Sequence, residues 1–143
     1  MPDATPTFRS LRYEVAGRKA YITLAHPERL NAIDRHMPGE IHTAVDLAND
    51  DPEVHVIILR GEGRSFCAGY DLKAFAEGGV GTQGTVWDPI KDYRVMKRNT
   101  DDFTSLFRSL KPTICQVQGH AVAGGSDIAL CCDLVVMADD ARI

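Results

Sequence analysis

A short, nearly continuous apolar run, Val54-His-Val-Ile-Ile-Leu59, is the feature that most constrains the fold of this chain. Such a run, without strict alternation, is typical of a strand covered on both faces in a parallel sheet. The segments Thr113–Val117 and Leu134–Ala138 have the same character. Residues 15–24, with a turn at Gly17, predict two more short strands at the start of the fold.

Helical segments separate these strands. After Asp34, a plausible N-cap, apolar residues recur with helical spacing and predict a helix over 36–49. Further helices are predicted over 71–77, from about Asp88 to the residues before Lys111-Pro112, and over 127–132. Alternation of strand and helix predicts an α/β fold with a parallel sheet, in which ligands usually bind at the carboxyl ends of the strands.

The amino-acid composition of these 143 residues limits the classes of function that the chain can have. The chain has room for one core, and 16 basic against 20 acidic residues argue against nucleic-acid binding. No stretch approaches 18 apolar residues, so we expect no membrane segment and a cytoplasmic protein with reduced thiols. Four irregularly spaced cysteines, without a C-x-x-C pair, argue against zinc. Residues 1–7 are expected to form a flexible leader, and the glycine-rich residues 78–84 a mobile loop.

Two loops rich in small residues each leave a strand and enter a helix. They are Ser65-Phe-Cys-Ala-Gly-Tyr-Asp-Leu72 and Gly119-His-Ala-Val-Ala-Gly-Gly-Ser-Asp127. Small residues let a ligand approach the backbone, and a helix N-terminus presents unpaired N–H groups with a partial positive charge. Two such loops can direct two N–H groups at one oxygen atom, which is the geometry of an oxyanion hole.

The order of four motifs gives a specific resemblance. They are Pro27-Glu-Arg-Leu-Asn-Ala32, Phe66-Cys-Ala-Gly-Tyr-Asp-Leu72, Lys111-Pro-Thr-Ile114 and the second of the two loops. With this order the chain resembles the crotonase superfamily, also called the enoyl-CoA hydratase/isomerase family, from about residue 10 to Ile143. The resemblance implies a ββα spiral of repeated strand-strand-helix units. It also implies that residues 8–143 are the N-terminal part of that domain, without its C-terminal half.

The resemblance also assigns roles to residues. It implies that the N–H groups of Ala68 and Gly124 are the oxyanion donors and that Asp127 is the acid/base residue, in the place of a glutamate of the hydratases. It further implies that the Arg29 loop contacts coenzyme A. The residues expected to bind CoA or the acyl group are Arg29, Ala32, Ala68, Gly69, Tyr70, Asp71, Leu72, His120 and Gly124.

The expected activity is that of an acyl-CoA hydratase or isomerase that stabilises a thioester enolate. Aspartate is one methylene shorter than glutamate, and the second glutamate of the family falls beyond Ile143. Hydration needs an acid and a base, whereas proton transfer between carbon atoms needs only one carboxylate. A non-catalytic acyl-CoA-binding protein, or another reaction of the superfamily such as a hydrolase, lyase or dehalogenase, is therefore the alternative.

Simpler structural roles compete with the functional ones at several positions. For Asp127 the alternative is a first-turn aspartate that interacts favourably with the helix dipole. Asp71 fits a helix N-cap better than a catalyst, and His120 fits a packed histidine better than a substrate contact. Cys67 is expected to be a small buried residue, and Met96, Phe103 and Phe107 to be core residues.

The activity expected from the resemblance needs no metal or redox cofactor, since coenzyme A is part of the substrate. The expected partner is an acyl-CoA small molecule, and the family resemblance implies a homo-oligomer, a trimer or hexamer.

Overall fold

A computed structural model describes residues 6–76 and 86–143. Within these ranges five strands form one sheet: β1 (Leu11–Ala16), β2 (Lys19–Leu24), β3 (Val56–Gly61), β4 (Thr113–Val117) and β5 (Leu134–Met137). The α-helices there are α1 (Met37–Asp50), α2 (Leu72–Ala76), α3 (Pro89–Phe107) and α4 (Gly124–Leu130), and a 3-10 turn spans Pro27–Arg29. The predicted α/β class is confirmed. No helix in these ranges is long and apolar enough to cross a membrane.

The strands lie in the sheet in chain order, β1-β2-β3-β4-β5. Strands β1 and β2 are antiparallel, and the pairs β2–β3, β3–β4 and β4–β5 are parallel. The antiparallel β1–β2 hairpin turns at Gly17 and Arg18, which both have positive φ, as a two-residue turn between twisted strands requires. The mobile loop predicted over residues 78–84 lies outside the described residues. Parallel pairing brings the loops after β2, β3 and β4 to the same edge of the sheet.

Strand β3 is buried on one face only, so the prediction that both faces are covered is wrong. Ile57 and Leu59 are completely buried, whereas Ile58 and Arg60 on the opposite face are half-buried. The Arg60 side chain covers part of this second face: its guanidinium lies 4.5 Å from the ring centroid of Tyr21, on β2. On this face of β3, part of the sheet is thus covered by the long side chain of Arg60, where the sequence predicts a packed element.

Helix α1 is confirmed where its periodicity placed it, and its buried residues face the core. The Asp34 carboxylate accepts hydrogen bonds from the N–H groups of His36 and Met37, each at 2.9 Å. Asp34 therefore satisfies N–H groups at the start of α1, as the sequence predicts, although it lies two residues before the helix-capping position at His36.

Helix α3 buries only a narrow stripe. Phe103 and Leu106 are buried, as predicted for a core stripe, but Met96 is 42% exposed and Phe107 is 71% exposed. The interpretation of Met96 and Phe107 as core residues is therefore wrong. Helix α3 packs against α1, and the exposure of these two side chains shows that they are not part of the core.

Apolar side chains are exposed along the β5 edge of the sheet and the adjacent face of α4. They are Val122, Leu130, Leu134, Val136, Met137 and Ile143. This edge therefore carries an exposed apolar patch among the described residues.

Candidate active site

The two small-residue loops are joined by backbone hydrogen bonds. The Cys67 N–H donates to the carbonyl of His120 at 3.0 Å, and the Val122 N–H donates to the carbonyl of Cys67 at 3.0 Å. A third loop joins the same cluster because the Ile33 N–H donates to the Gly69 carbonyl at 2.8 Å. The loops after β2, β3 and β4 therefore form one continuous structure at the carboxyl edge of the sheet.

The glycines in these loops allow the loops to approach each other. A Cβ atom on Gly125 would lie 2.4 Å from the Cys67 carbonyl oxygen, which is far inside van der Waals contact. Gly69 has φ of +90°, and a Cβ atom there would lie 2.8 Å from the carbonyl oxygen of Val122. The sequence predicts that the small residues give a ligand access to the backbone, whereas at Gly69 and Gly125 they allow backbone to pack on backbone.

The N–H group of Ala68 is already used inside the protein, which corrects its assignment as an oxyanion donor. It donates to the carbonyl of Leu30 at 2.9 Å. Among residues 6–76 and 86–143, the N–H groups of Tyr70 and Gly124 have no backbone or side-chain acceptor. Tyr70 and Gly124, rather than Ala68 and Gly124, are therefore two donors that the contacts among the described residues leave available.

These two donors belong to residues in direct contact. A Cβ atom on Gly124 would lie 2.9 Å from Cε2 of the Tyr70 ring and 2.8 Å from Cδ1 of Ile33. Only glycine leaves this space open. The Gly124 N–H is also the first of helix α4, where unsatisfied N–H groups carry the positive end of the helix dipole.

Backbone strain marks the entry to α4. Ala123 has φ of +48° and ψ of −118°, a conformation that residues with a Cβ atom rarely adopt. The helix begins directly after it, at Gly124, three residues before the predicted start at Asp127. Strain of this kind is concentrated at functional sites, where the surrounding structure maintains it.

Asp127 faces a cavity of about 310 Å³ between the first loop and helices α3 and α4. The other lining residues are Tyr70, Met96, Thr100, Phe103, Leu130 and Cys131. Burial raises the pKa of the Tyr70 phenol, the Asn99 hydrogen bond opposes this increase, and the charge of Asp127 adds to it. Met96 and Phe103 therefore line a pocket, a role that their helical spacing did not suggest.

The predicted CoA-binding loop contacts the first small-residue loop through an ion pair. The Arg29 guanidinium contacts the carboxylate of Asp71, which is 7% exposed. The other Asp71 oxygen accepts the N–H of Ala74 at 3.0 Å, within the first turn of α2. The N-cap role predicted for Asp71 is therefore confirmed, and the same side chain also holds Arg29 in place.

Asn31 holds the base of the site together and was not singled out from the sequence. It is completely buried, and its side chain accepts the N–H of His26 and donates to the carbonyls of Glu62 and Ser65. Its φ of +53° is a second sign of a constrained loop. An asparagine in a turn between a strand and a helix was the available signal, since asparagine tolerates this conformation.

The remaining predicted residues differ in their accessibility. Cys67 is completely buried, as predicted, and burial raises the pKa of its thiol to about 11. His120 is exposed, so its interpretation as a packed histidine is wrong; its backbone forms a bridge with that of Arg142. Leu72 is exposed, and Ala32 is half-buried with its N–H donated to Arg29.

Comparison with known proteins places this geometry in a family context. The sequence model described as enoyl-CoA hydratase/isomerase matches residues 16–143. A Mycobacterium bovis protein named probable enoyl-CoA hydratase echA8 is 31% identical over 140 residues, which cover 95% of this chain and 49% of the relative. The chain spans about half the length of the curated relatives it matches.

Solved structures agree with this comparison. An enoyl-CoA hydratase from Mycobacterium smegmatis superimposes with a TM-score of 0.85 at 40% identity, covering 94% of this chain and 49% of that one. An enoyl-CoA hydratase/isomerase from Xanthobacter autotrophicus Py2 gives a TM-score of 0.84 at 37% identity, covering 94% and 48%. The predicted crotonase-like fold, as the N-terminal portion of the domain, is confirmed.

Proposed function

Since this chain belongs to the enoyl-CoA hydratase/isomerase family, we propose that its site binds an acyl-CoA thioester and stabilises the enolate formed from it. One observation carries the proposal: the N–H groups of Tyr70 and Gly124 lack acceptors among the described residues and belong to residues in contact. A thioester oxygen placed between them accepts two hydrogen bonds. Each preorganised donor of this kind lowers a barrier by about 3–4 kcal/mol.

Asp127 is the proposed acid/base residue. It lies in the first turn of α4, one helical turn after the Gly124 donor, and faces the same cavity as Tyr70. Its carboxylate removes a proton from the α-carbon of the acyl group, while the negative charge of the resulting enolate develops on the oxygen held by the two N–H groups. The proton returns from Asp127 to the same carbon or, in an isomerisation, to the γ-carbon.

Only one carboxylate, that of Asp127, is among the described residues that line this cavity. One carboxylate suffices for proton transfer between carbon atoms, whereas hydration also needs a second group to activate water. The second candidate is a protein that binds acyl-CoA without turning it over. Hydrolase, lyase and dehalogenase chemistry use the same type of oxyanion stabilisation and stay open.

Hydrogen exchange at the α-carbon separates these candidates. Purified protein is incubated with butyryl-CoA in D₂O, and deuterium at the α-carbon is measured by mass spectrometry. The proposed function predicts protein-dependent exchange that Asp127→Asn reduces by about 10²-fold or more. Calorimetric binding of butyryl-CoA without exchange supports the non-catalytic candidate, and the absence of binding contradicts both.

A matched variant controls for the change of charge. Asp139→Asn removes the same charge from an exposed aspartate outside the cavity and is expected to leave exchange unchanged. Incubation with crotonyl-CoA, followed by the ultraviolet absorbance of the enoyl thioester, measures hydration in the same samples.

A further inference from the structure

A second cavity, of about 300 Å³, lies between the start of α1, α2 and α3. We call it the arginine cavity because two arginines line it, Arg35 and Arg98. Its other walls are a mixture of apolar and polar side chains: Pro38, Gly39, Phe75, Val95, Asn99 and Asp102. Nothing in the proton-transfer chemistry proposed above uses these residues.

The guanidinium groups of the arginine cavity are available for a ligand. Among the described residues, neither Arg35 nor Arg98 forms an ion pair with a carboxylate, although arginines 12, 29 and 60 each do. The Nε of Arg35 donates to His36 at 3.2 Å, which orients the guanidinium and leaves its two terminal nitrogens. Unpaired arginines sharing one cavity are notable in a chain with a formal charge of −4.

Asp102 is the one acidic group among the described residues that line the cavity, and it does not neutralise both arginines. Asp102 has its carboxylate 2.9 Å from Nδ1 of His42, on α1, and is thus held on the side of that helix. Two guanidinium groups against one carboxylate leave a net positive charge. Guanidinium groups bind carboxylates and phosphates through paired hydrogen bonds, so the chemistry of the cavity favours an anion of this type.

Two side chains connect this cavity to the proposed reaction site. Asn99 lines the arginine cavity, and its amide lies 3.5 Å from the Tyr70 hydroxyl. Phe75 lines it as well and packs edge-on against the Tyr70 ring, with 5.1 Å between the ring centroids. Tyr70 also lines the Asp127 cavity, so one aromatic ring separates the two cavities.

We propose that the arginine cavity binds a carboxylate at the far end of the acyl group, so that the substrate class is the CoA monothioesters of dicarboxylic acids. The inference rests on the proposed function, because the thioester end must occupy the Tyr70 and Gly124 donors. The acyl chain then passes the Tyr70 ring, and its terminal carboxylate lies between Arg35 and Arg98. Pro38, Phe75 and Val95 contact the methylene groups.

Calorimetric titration with matched ligands tests this substrate class. Glutaryl-CoA and pentanoyl-CoA have acyl groups of five carbon atoms and differ in the terminal carboxylate. We expect glutaryl-CoA to bind about tenfold or more tightly, as for a hydrogen-bonded charged group. Arg35→Gln and Arg98→Gln are each expected to reduce this preference to about twofold or less. Arg94→Gln, an exposed position on α3 outside the cavity, is expected to retain it.

Three results would overturn the inference, and they are distinguishable. Equal affinity of the wild-type protein for the two thioesters shows that the terminal carboxylate is not recognised. If Arg98→Gln weakens pentanoyl-CoA and free CoA as strongly as glutaryl-CoA, the cavity binds a phosphate of coenzyme A instead. If neither thioester binds, the proposed function fails together with this inference.

Discussion

The Val122 N–H donates to the Cys67 carbonyl at 3.0 Å, and this bond joins the two loops from which the oxyanion donors come. The same carbonyl oxygen is the atom that a side chain on Gly125 would meet. The spacing of the two loops is thus set by backbone contacts on both sides of Cys67. Positions that maintain this spacing are expected to be sensitive to the smallest substitutions.

Gly125→Ala is expected to destabilise the fold by about 1–3 kcal/mol, because the new methyl group meets backbone that has no room to move. Urea denaturation followed by circular dichroism measures the change. Gly39→Ala is the matched control: its new methyl group would lie 3.9 Å from Oδ2 of Asp102, an ordinary van der Waals distance, and it should stabilise α1 by about 0.5–1 kcal/mol. Equal effects of the two substitutions would contradict the packing argument.

Asn31→Ala is expected to lower the free energy of unfolding by about 2–4 kcal/mol. The substitution leaves the N–H of His26 and the carbonyls of Glu62 and Ser65 without their partner, and the residue is buried. Asn99→Ala, which removes an amide with one long hydrogen bond, is the control and should cost less than about 1 kcal/mol. Urea denaturation of both variants decides the comparison.

The ion pair of Arg29 and Asp71 is expected to stabilise the fold because Arg29 neutralises a buried carboxylate. Arg29→Ala leaves that carboxylate without its cation and should cost about 1–2 kcal/mol, less than a fully buried pair because Arg29 is 46% exposed. Adding Asp71→Asn removes the buried charge and should restore part of this loss. A double-mutant cycle from urea denaturation measures the coupling, and strictly additive effects would show that the pair contributes nothing.

Asp34 is expected to make stability fall in acid. Burial opposes ionisation, but hydrogen bonds from Met37, Ser10 and His36 outweigh it and lower the pKa of the Asp34 carboxyl. A depressed folded-state pKa contributes stability above the unfolded value of about 3.9, and this contribution disappears as the pH falls through the folded value. Asp34→Asn should therefore destabilise more at pH 7 than at pH 3. Urea midpoints at both pH values, with Asp140→Asn as an exposed control, test this.

Asp127→Glu is expected to change the rate of α-proton exchange and to favour proton transfer to atoms that lie farther from the backbone of α4. The added methylene advances the carboxylate by roughly 1.5 Å, and displacements of about 1 Å alter rates by ~10²-fold. We expect an altered rate of exchange with butyryl-CoA at unchanged calorimetric affinity. A proportional loss of affinity would show that the longer side chain blocks the cavity instead.

The sequence predicted local structure well wherever a short-range pattern carries it. The periodicity of α1 and the apolar runs of β4 and β5 placed these elements within a residue or two, and Lys111-Pro112 correctly ended the helical pattern of α3. The motif order also identified the family. The start of α4 was misplaced because small residues give no periodic signal, and Ala123 enters the helix from a strained conformation.

The sequence alone did not predict the hydrogen-bond partners or the exposed faces of the elements. Ala68 and Tyr70 are equally plausible donors in a linear motif, but Leu30 occupies the Ala68 N–H through a contact 38 positions away in the chain. Met96 and Phe103 share one helical stripe, yet the stripe is wider than the contact of α3 with its neighbours. The arginine cavity likewise joins residues from three helical segments.

The sequence by itself determined the order of strands and helices, the family and the two loops at the carboxyl edge, because these depend on neighbours a few residues apart. Only the tertiary structure decided which N–H groups are free, that Asp127 and Tyr70 share a cavity, and that Arg35 and Arg98 meet in another. The physical reason is that the availability of a polar group depends on whether a distant segment satisfies it, and local spacing carries no record of that pairing.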